Sequence, residues 1–275
     1  MNISFEGKIV LVTGAGAGIG LATAQAFAAN GATIVGVEID AGRCETARQA
    51  LGGKHVILQA DATDEAQVAR FIAEVTAKFG RLDVLVNNVG DYVRRAPAFA
   101  DTTNEDIDWL YSTNLKHIFL VSRAALPLLR KAAPGSSIIN ISSIEGMRGQ
   151  PRGVVYSAFK AAAINFTRSL ALELGPEGIR VNAIAPETTE SEQVKVAGTV
   201  PPEYAQHESR WFPLGRVGQP DDHAGCALYL ASDMATWVTG VVINVDGGAL
   251  AAGGWRRTHE DVWTNRPVTI AHGRR

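Results

Sequence analysis

The sequence predicts an α/β fold: a doubly wound sheet of about seven parallel strands with helices on both faces. Three observations predict it. Strand-like runs are apolar without alternation, as in strands buried on both faces. They alternate with helix-like segments, which calls for right-handed βαβ units. No linker, repeat or low-complexity block interrupts the rhythm, so residues 1–250 read as one domain, followed by an extension at 251–275.

The elements follow in order. Ile9–Val12 is the first strand; a glycine-rich turn leads from it into a small-residue helix, Leu21–Ala29. Thr33–Val37 is the second strand, with Glu38 at its end, and Val56–Gln59 the third. A helix at Glu65–Phe79 precedes the fourth strand, Val84–Asn87, and a long helix spans Asp106–Leu129. Ser137–Ile141 is the fifth strand. Tyr156–Leu174 is a second long helix, stopped by Gly175 and Pro176. Val181–Ile184 and Val241–Val245 are the sixth and seventh strands. The segment 187–213 mixes Thr, Glu, Pro and aromatics, as a mobile lid would.

Bulk properties narrow the function. The 275 residues carry 26 Lys+Arg against 28 Asp+Glu, a formal net charge of −2. Such a chain has no global field to draw it to nucleic acid or an anionic membrane. It has no apolar run of transmembrane length, and its N-terminus reads as a strand, not a signal peptide. The expected setting is the cytoplasm. Cys44 and Cys226 lie far apart with neither metal-ligand nor redox spacing, so two free thiols and no bound metal are expected.

The turn after the first strand reads Thr13-Gly14-Ala15-Gly16-Ala17-Gly18-Ile19-Gly20. Gly14 lets the chain turn tightly, Gly18 lets backbone approach a pyrophosphate, and Gly20 allows close packing of helix on strand. Free N–H groups and the helix dipole stabilise that anion. The spacing is G-x-x-x-G-x-G, not the G-x-G-x-x-G of other dinucleotide folds, and a plain glycine-rich turn is the alternative to a Rossmann-type cofactor turn. Glu38 stands where dinucleotide folds place an acid on the adenosine ribose, accepting from its hydroxyls and repelling a 2′-phosphate. Ala17 and Ile39 supply no cation for such a phosphate, so the expected cofactor is NAD. Asp40 is the alternative acid, though strand phase favours Glu38.

Tyr156 and Lys160 lie four apart at the start of a helix and share a face. A nearby ammonium stabilises tyrosinate, so this Tyr can exchange a proton with a substrate hydroxyl near neutral pH. Ser143 follows the fifth strand. In an open parallel sheet the crevice lies outside the carboxyl ends of the strands, so Ser143 faces the same crevice as the glycine turn. Asn87 is expected to pin the fourth strand to its neighbour.

With these motifs the chain resembles the short-chain dehydrogenase/reductase family over residues 5–250. The resemblance rests on Thr13-Gly14-x-x-x-Gly18-Ile19-Gly20, Asp61-Ala62, Asn87-Asn88-Val89-Gly90, Asn114, Ser142-Ser143, Tyr156-x-x-x-Lys160 and Asp246-Gly247-Gly248. It implies that Tyr156 is the acid/base, that Lys160 lowers its pKa and holds the nicotinamide ribose, and that Ser143 hydrogen-bonds the substrate oxygen. It implies that Asn114 holds a water in a proton relay. Asp61, with Ala62 beside it, would bind the adenine amino group, and Asn88 the adenosine side of the pocket. Ser142 reads as structural. It also implies a homotetramer in which the two long helices pack across a dyad.

One departure stands out. After the sixth strand the family has Pro-Gly and then a Thr; here Pro186 is followed by Glu187, and Ser191 stands in the Thr position. Glu does not reach positive φ as easily as Gly, which puts the lid geometry in question. The backbone of Thr189 remains available for the carboxamide. The expected reaction is hydride transfer between a secondary alcohol or ketone and NAD(H). Ser143, Tyr156, Lys160 and Asn114 are all kept, which argues against a catalytically silent sensor or scaffold. Two substrate readings are open at this point. Arg94, Arg95, Arg148 and Arg152, with Glu145 among them, suggest an anionic group such as a carboxylate or sulfonate. Trp211 and Phe212 suit an apolar ring.

Overall fold

The structure is a computed structural model; it describes residues 3–91, 97–195, 210, 212–254, 256–258 and 263–264. Seven parallel strands form one sheet: β1 (Ile9–Thr13), β2 (Thr33–Glu38), β3 (Val56–Gln59), β4 (Val84–Asn87), β5 (Ser137–Ile141), β6 (Arg180–Pro186) and β7 (Val242–Val245). Their order is β3-β2-β1-β4-β5-β6-β7. The order reverses between β1 and β4, which register Val10 on Val84 and Val12 on Val86. Ligand crevices of open sheets sit at such a reversal.

Alternate residues of each buried strand feed opposite faces. Val10 and Val12 pack with Phe27 of α1 (Gly18–Ala29) and Leu230 of α7 (Pro220–Ala231). Ile9 and Leu11 pack with Phe71 of α3 (Glu65–Phe79), Leu128 of α5 (His117–Ala132) and Leu174 of α6 (Val154–Leu174). The expected two-faced sheet is therefore present. Asn87 donates to Asn140 Oδ1 at 2.9 Å and to Ser122 Oγ at 3.0 Å, pinning β4 to β5 as expected.

Three elements differ from the sequence reading. A helix between β2 and β3, α2 (Ala41–Leu51), is additional; Asp40 caps it by accepting from Arg43 N at 2.8 Å. This occupies the alternative ribose acid. The helix expected over Asp106–Leu129 is built of α4 (Asn104–Tyr111), a π-helical stretch at Ser112–Lys116, and α5. The first helix begins at Gly18 instead of Leu21, because the glycine turn itself supplies its first residues. Past residue 248 the described residues form a short helix α8 (Ala249–Ala252) and paired strands β8 (Arg256–Arg257) and β9 (Trp263–Thr264). Among the described residues no helix is long and apolar enough to cross a membrane. Both cysteines are free.

Candidate active site

One cleft of about 740 Å³ opens at the carboxyl ends of the strands, lined at one end by Gly14, Gly18 and Glu38 and at the other by Ser143, Tyr156 and Lys160. The strands place these groups: β1 delivers the glycine turn, β2 Glu38, and β5 Ser143.

At the glycine turn, Gly14 has φ +66° and Gly18 φ +52°, a region L side chains avoid. A Cβ at Gly20 would fall 2.5 Å from Asn88 Nδ2. That amide donates to Thr13 O at 3.1 Å and Gly14 O at 3.3 Å, locking the turn against β4. The α1 N-cap, Ala17, offers no side-chain cap, so the first-turn N–H groups face the cleft unspent. The residues present fit a dinucleotide pyrophosphate.

Glu38 is buried. Its Oε2 accepts from Gly16 N at 3.1 Å, and its Oε1 from Ile39 N at 3.0 Å and Asp40 N at 3.1 Å. The carboxylate is thus fixed beside the turn. Asp61 Oδ1 accepts from Thr63 N and Thr63 Oγ1, both at 2.7 Å, while Ala62 is buried beside it. Both line the cleft, with Ile19, Asn88 and Gly90. Sequence reasoning misses several cleft residues, among them Thr63, Trp109, Ser112, Thr113 and Arg43. Arg43 lines the cleft near Glu38 and pairs with Glu192 of the lid base at 3.2 Å. Its sequence signal is only its place in α2, the helix that the apolar pattern does not reveal.

At the other end, Lys160 is buried and donates to Ile141 O at 3.1 Å. Burial pushes its pKa down to about 8. Its Nζ stands 5.6 Å from the Tyr156 ring centre. Ser143 Oγ accepts from Glu145 N at 3.1 Å, which leaves its O–H to donate elsewhere. Ser142, read as structural, ties β5 to α6 by donating to Lys160 O at 2.9 Å. Gly90 has no side chain where a Cβ would sit 3.0 Å from Lys160 Nζ and 3.3 Å from Asn114 Oδ1.

Asn114 is buried within the π-helical stretch. Its amide donates to Asp91 O at 2.7 Å and Leu110 O at 3.1 Å, and its oxygen accepts from Asp91 N at 3.1 Å. Both amide hydrogens and one lone pair of the oxygen are thus engaged, on α4 and on Asp91 after β4. Three residues on, His117 is fully buried. Burial, and after it the Lys160 charge, lower its pKa to about 3 against a smaller opposing pull from the backbone of Val89.

The lid base crosses the cleft. Pro186, Thr189 and Ser191 line it. Thr189 Oγ1 donates to Glu187 O at 2.9 Å and meets His223 Nε2 at 2.8 Å. Glu187 is not among the residues with positive φ, so the glycine-to-Glu change costs no backbone strain there. The lone non-glycine with positive φ among the described residues is Arg152, at 62°.

The predicted substrate residues fare differently. Glu145 lines the cleft; Arg148 and Arg152 do not. Arg148 pairs instead with Glu145 and Glu187, each at 2.6 Å. Phe212 is buried outside the cleft lining, so it offers no ring to a substrate. Arg94, Arg95 and Trp211 lie outside the described residues.

A family model described as enoyl-(acyl carrier protein) reductase matches residues 14–249. The chain belongs to the short-chain dehydrogenase/reductase family. Family members are oxidoreductases that use a nicotinamide dinucleotide. The chain is 38% identical over 246 residues to 3-oxoacyl-(acyl-carrier-protein) reductase FabG of Thermotoga maritima, covering 88% of this chain and 98% of that one. It is 37% identical to galactitol 2-dehydrogenase of Agrobacterium fabrum, covering 88% and 96% respectively. A 3alpha-hydroxysteroid dehydrogenase of Mediterraneibacter gnavus is also 37% identical, with 90% and 99% covered. Among solved structures, a short-chain dehydrogenase/reductase from Serratia marcescens superposes with a TM-score of 0.81 at 30% identity, covering 89% of this chain and 98% of that one.

Proposed function

We propose that this family member is an NAD-dependent dehydrogenase acting on a secondary alcohol or the matching ketone. The observation that carries the reading is one cleft holding Ser143, Tyr156 and Lys160 at one end and Glu38 beside the glycine turn at the other.

In this reading Gly14, Gly18, Ile19 and Gly20 cradle the pyrophosphate, Asp61, Ala62, Asn88 and Gly90 line the adenosine side, and Pro186, Thr189 and Ser191 take the nicotinamide side. Bound NAD supplies the hydride acceptor. Tyr156 takes the proton from the substrate hydroxyl, and the ammonium of Lys160 stabilises the phenolate that allows it. Lys160 is held toward the ring by Ile141 O, and Gly90 leaves it room. Ser143, its lone pair engaged by Glu145 N, donates its own hydrogen to the substrate oxygen. Asn114 positions the loop that backs Lys160; as resemblance implies, a water held there extends the proton path. Glu38 accepts from the adenosine ribose hydroxyls and disfavours a 2′-phosphate, which supports NAD. The homotetramer remains a proposal from resemblance.

The test is reduction of NAD, followed at the NADH absorbance band, with a panel of secondary alcohols. Tyr156→Phe removes the exchanging proton, so turnover should fall at least about a thousandfold while NADH binding by fluorescence persists. A Tyr156→Phe enzyme within about tenfold of wild type would remove the assigned acid/base role.

A further inference from the structure

The ion-pair cluster at the substrate end assigns a charge preference to the cleft. Resting on the dehydrogenase reading, we infer that Glu187 is a specificity-determining residue, that it holds Arg148 away from the substrate, and that the cleft takes a neutral polyhydroxylated alcohol.

Arg148 is one of the cations that the sequence offers to an anionic substrate group. Its guanidinium is engaged through two of its three nitrogens: Nη2 donates to Glu145 Oε1 at 2.6 Å and to Glu187 Oε2 at 2.6 Å, and Nε donates to both Glu145 oxygens at 3.2 Å. Glu145 and Glu187 line the cleft, and Arg148 does not. The two carboxylates therefore stand between the guanidinium and the substrate. Two carboxylates against one guanidinium leave this wall negative.

The carboxylates are held where they matter. Glu187 is nearly buried, at 10% side-chain exposure, and its Oε1 accepts from Thr188 Oγ1 at 2.8 Å. Glu145 adjoins the reacting atoms, because its N–H donates to Ser143 Oγ. A substrate carboxylate placed on the carbon beside the carbinol would face a like charge in a partly dry cleft. Hydroxyl groups there meet strong acceptors instead. Gln150, Ser112 and Thr113 add further hydroxyl partners to the lining. A plain apolar ring would offer these acceptors no hydrogen in place of the water it displaces, which costs free energy. The same chain with glycine at position 187 would leave Arg148 one carboxylate short and free to turn inward.

The experiment uses the full-length protein with NAD and three alcohols: a hexitol, the aldonate of the same chain length, and cyclohexanol. Wild type should favour the hexitol over each of the others by about tenfold or more in kcat/KM. Glu187→Gln should raise the aldonate-to-hexitol ratio by about tenfold, and Arg148→Met should lower it. Calorimetric binding of the same compounds to the NAD complex gives an independent reading. If none is oxidised but the hexitol binds in preference to the aldonate, the dehydrogenase reading fails and the charge preference stands. Wild-type preference for the aldonate or cyclohexanol overturns the proposal. So does an aldonate ratio unmoved by Glu187→Gln, or an absence of both turnover and binding of the hexitol.

Discussion

At the residue scale, Glu38 is positioned by its neighbours before any cofactor arrives. Its two oxygens accept three backbone N–H groups, from Gly16, Ile39 and Asp40. Oε1 already accepts two of them and Oε2 one, so Oε2 keeps a lone pair that can still accept from a ribose hydroxyl. Glu38→Ser should therefore do two separable things. Removing the carboxylate from a buried site strands the Gly16 N–H and should lower unfolding free energy by about 1–3 kcal/mol, read by urea midpoint. It should also raise the NADP-to-NAD ratio of kcat/KM by at least about tenfold, helped by the nearby Arg43. A ratio that stays fixed would mean Glu38 does not select the cofactor. Much of this is legible in the chain: an acid at the end of the second strand has one obvious place to point. Arg43 is not legible, because its closeness to Glu38 depends on α2. That helix has little apolar periodicity; only Asp40 as cap and Gly52 as stop mark it. Arg148 reads from sequence as a cation near the crevice but not as a paired one, since its partner Glu187 is far along the chain.

At the element scale, the segment around Asn114 shows what a local pattern hides. The sequence there reads as continuous amphipathic helix, and the apolar spacing is indeed that of α4 and α5. A π-helical turn inserts an extra residue, which leaves a backbone carbonyl in need of a donor. Asn114 supplies it, donating to Leu110 O at 3.1 Å while gripping both backbone groups of Asp91. The distortion thus holds the loop after β4 against Lys160. Asn114→Leu, close in volume, removes all three bonds. We expect a loss of about 2 kcal/mol or more in stability and about a hundredfold in kcat with KM for NAD changed little. Asn114→Asp should restore part of the stability, because its carboxylate still accepts from Asp91 N. Equal kcat in wild type and both variants would leave Asn114 no role beyond packing. The lid base makes a similar point. Pro-Glu in place of Pro-Gly threatens backbone geometry when read from sequence, but φ at Glu187 needs no glycine. The change acts through the side chain, in the pair with Arg148.

At the scale of the whole molecule, the parallel sheet is readable because its strands are apolar on both faces, and the observed order β3-β2-β1-β4-β5-β6-β7 requires nothing more local than that. What the pattern does not announce is which polar side chains the two helical layers bury with it. His117 on α5 and His223 on α7 are both buried, in the layers on opposite faces of the sheet. Burial lowers the pKa of His117 to about 3 and of His223 to about 4, from 6.5. Each depressed value means the unfolded chain binds a proton that the folded chain refuses. Stability from these groups is complete above pH 6.5 and is lost as pH falls through 6.5 toward 4 and then 3. At about pH 5 each histidine should cost about 2 kcal/mol relative to about pH 7. Lys160 acts at the alkaline end: with its pKa down from 10.5 to about 8, stability should rise as pH climbs between those values. Ion-paired carboxylates act at the acid extreme. The Arg216 hydrogen bonds hold the Asp222 pKa down to about 2, so that pair survives well below the range where the histidines take up protons. Urea unfolding at about pH 7 and about pH 5 therefore reports on the histidines, chiefly His117 and His223, with a smaller share from His55, whose pKa burial also lowers. His117→Gln and His223→Gln will each lower stability at neutral pH, since both sites are buried, but each should remove a large share of the loss on acidification. An undiminished loss in the double variant would take the acid sensitivity away from these two side chains, and with it the reading that both are buried neutral in the folded chain.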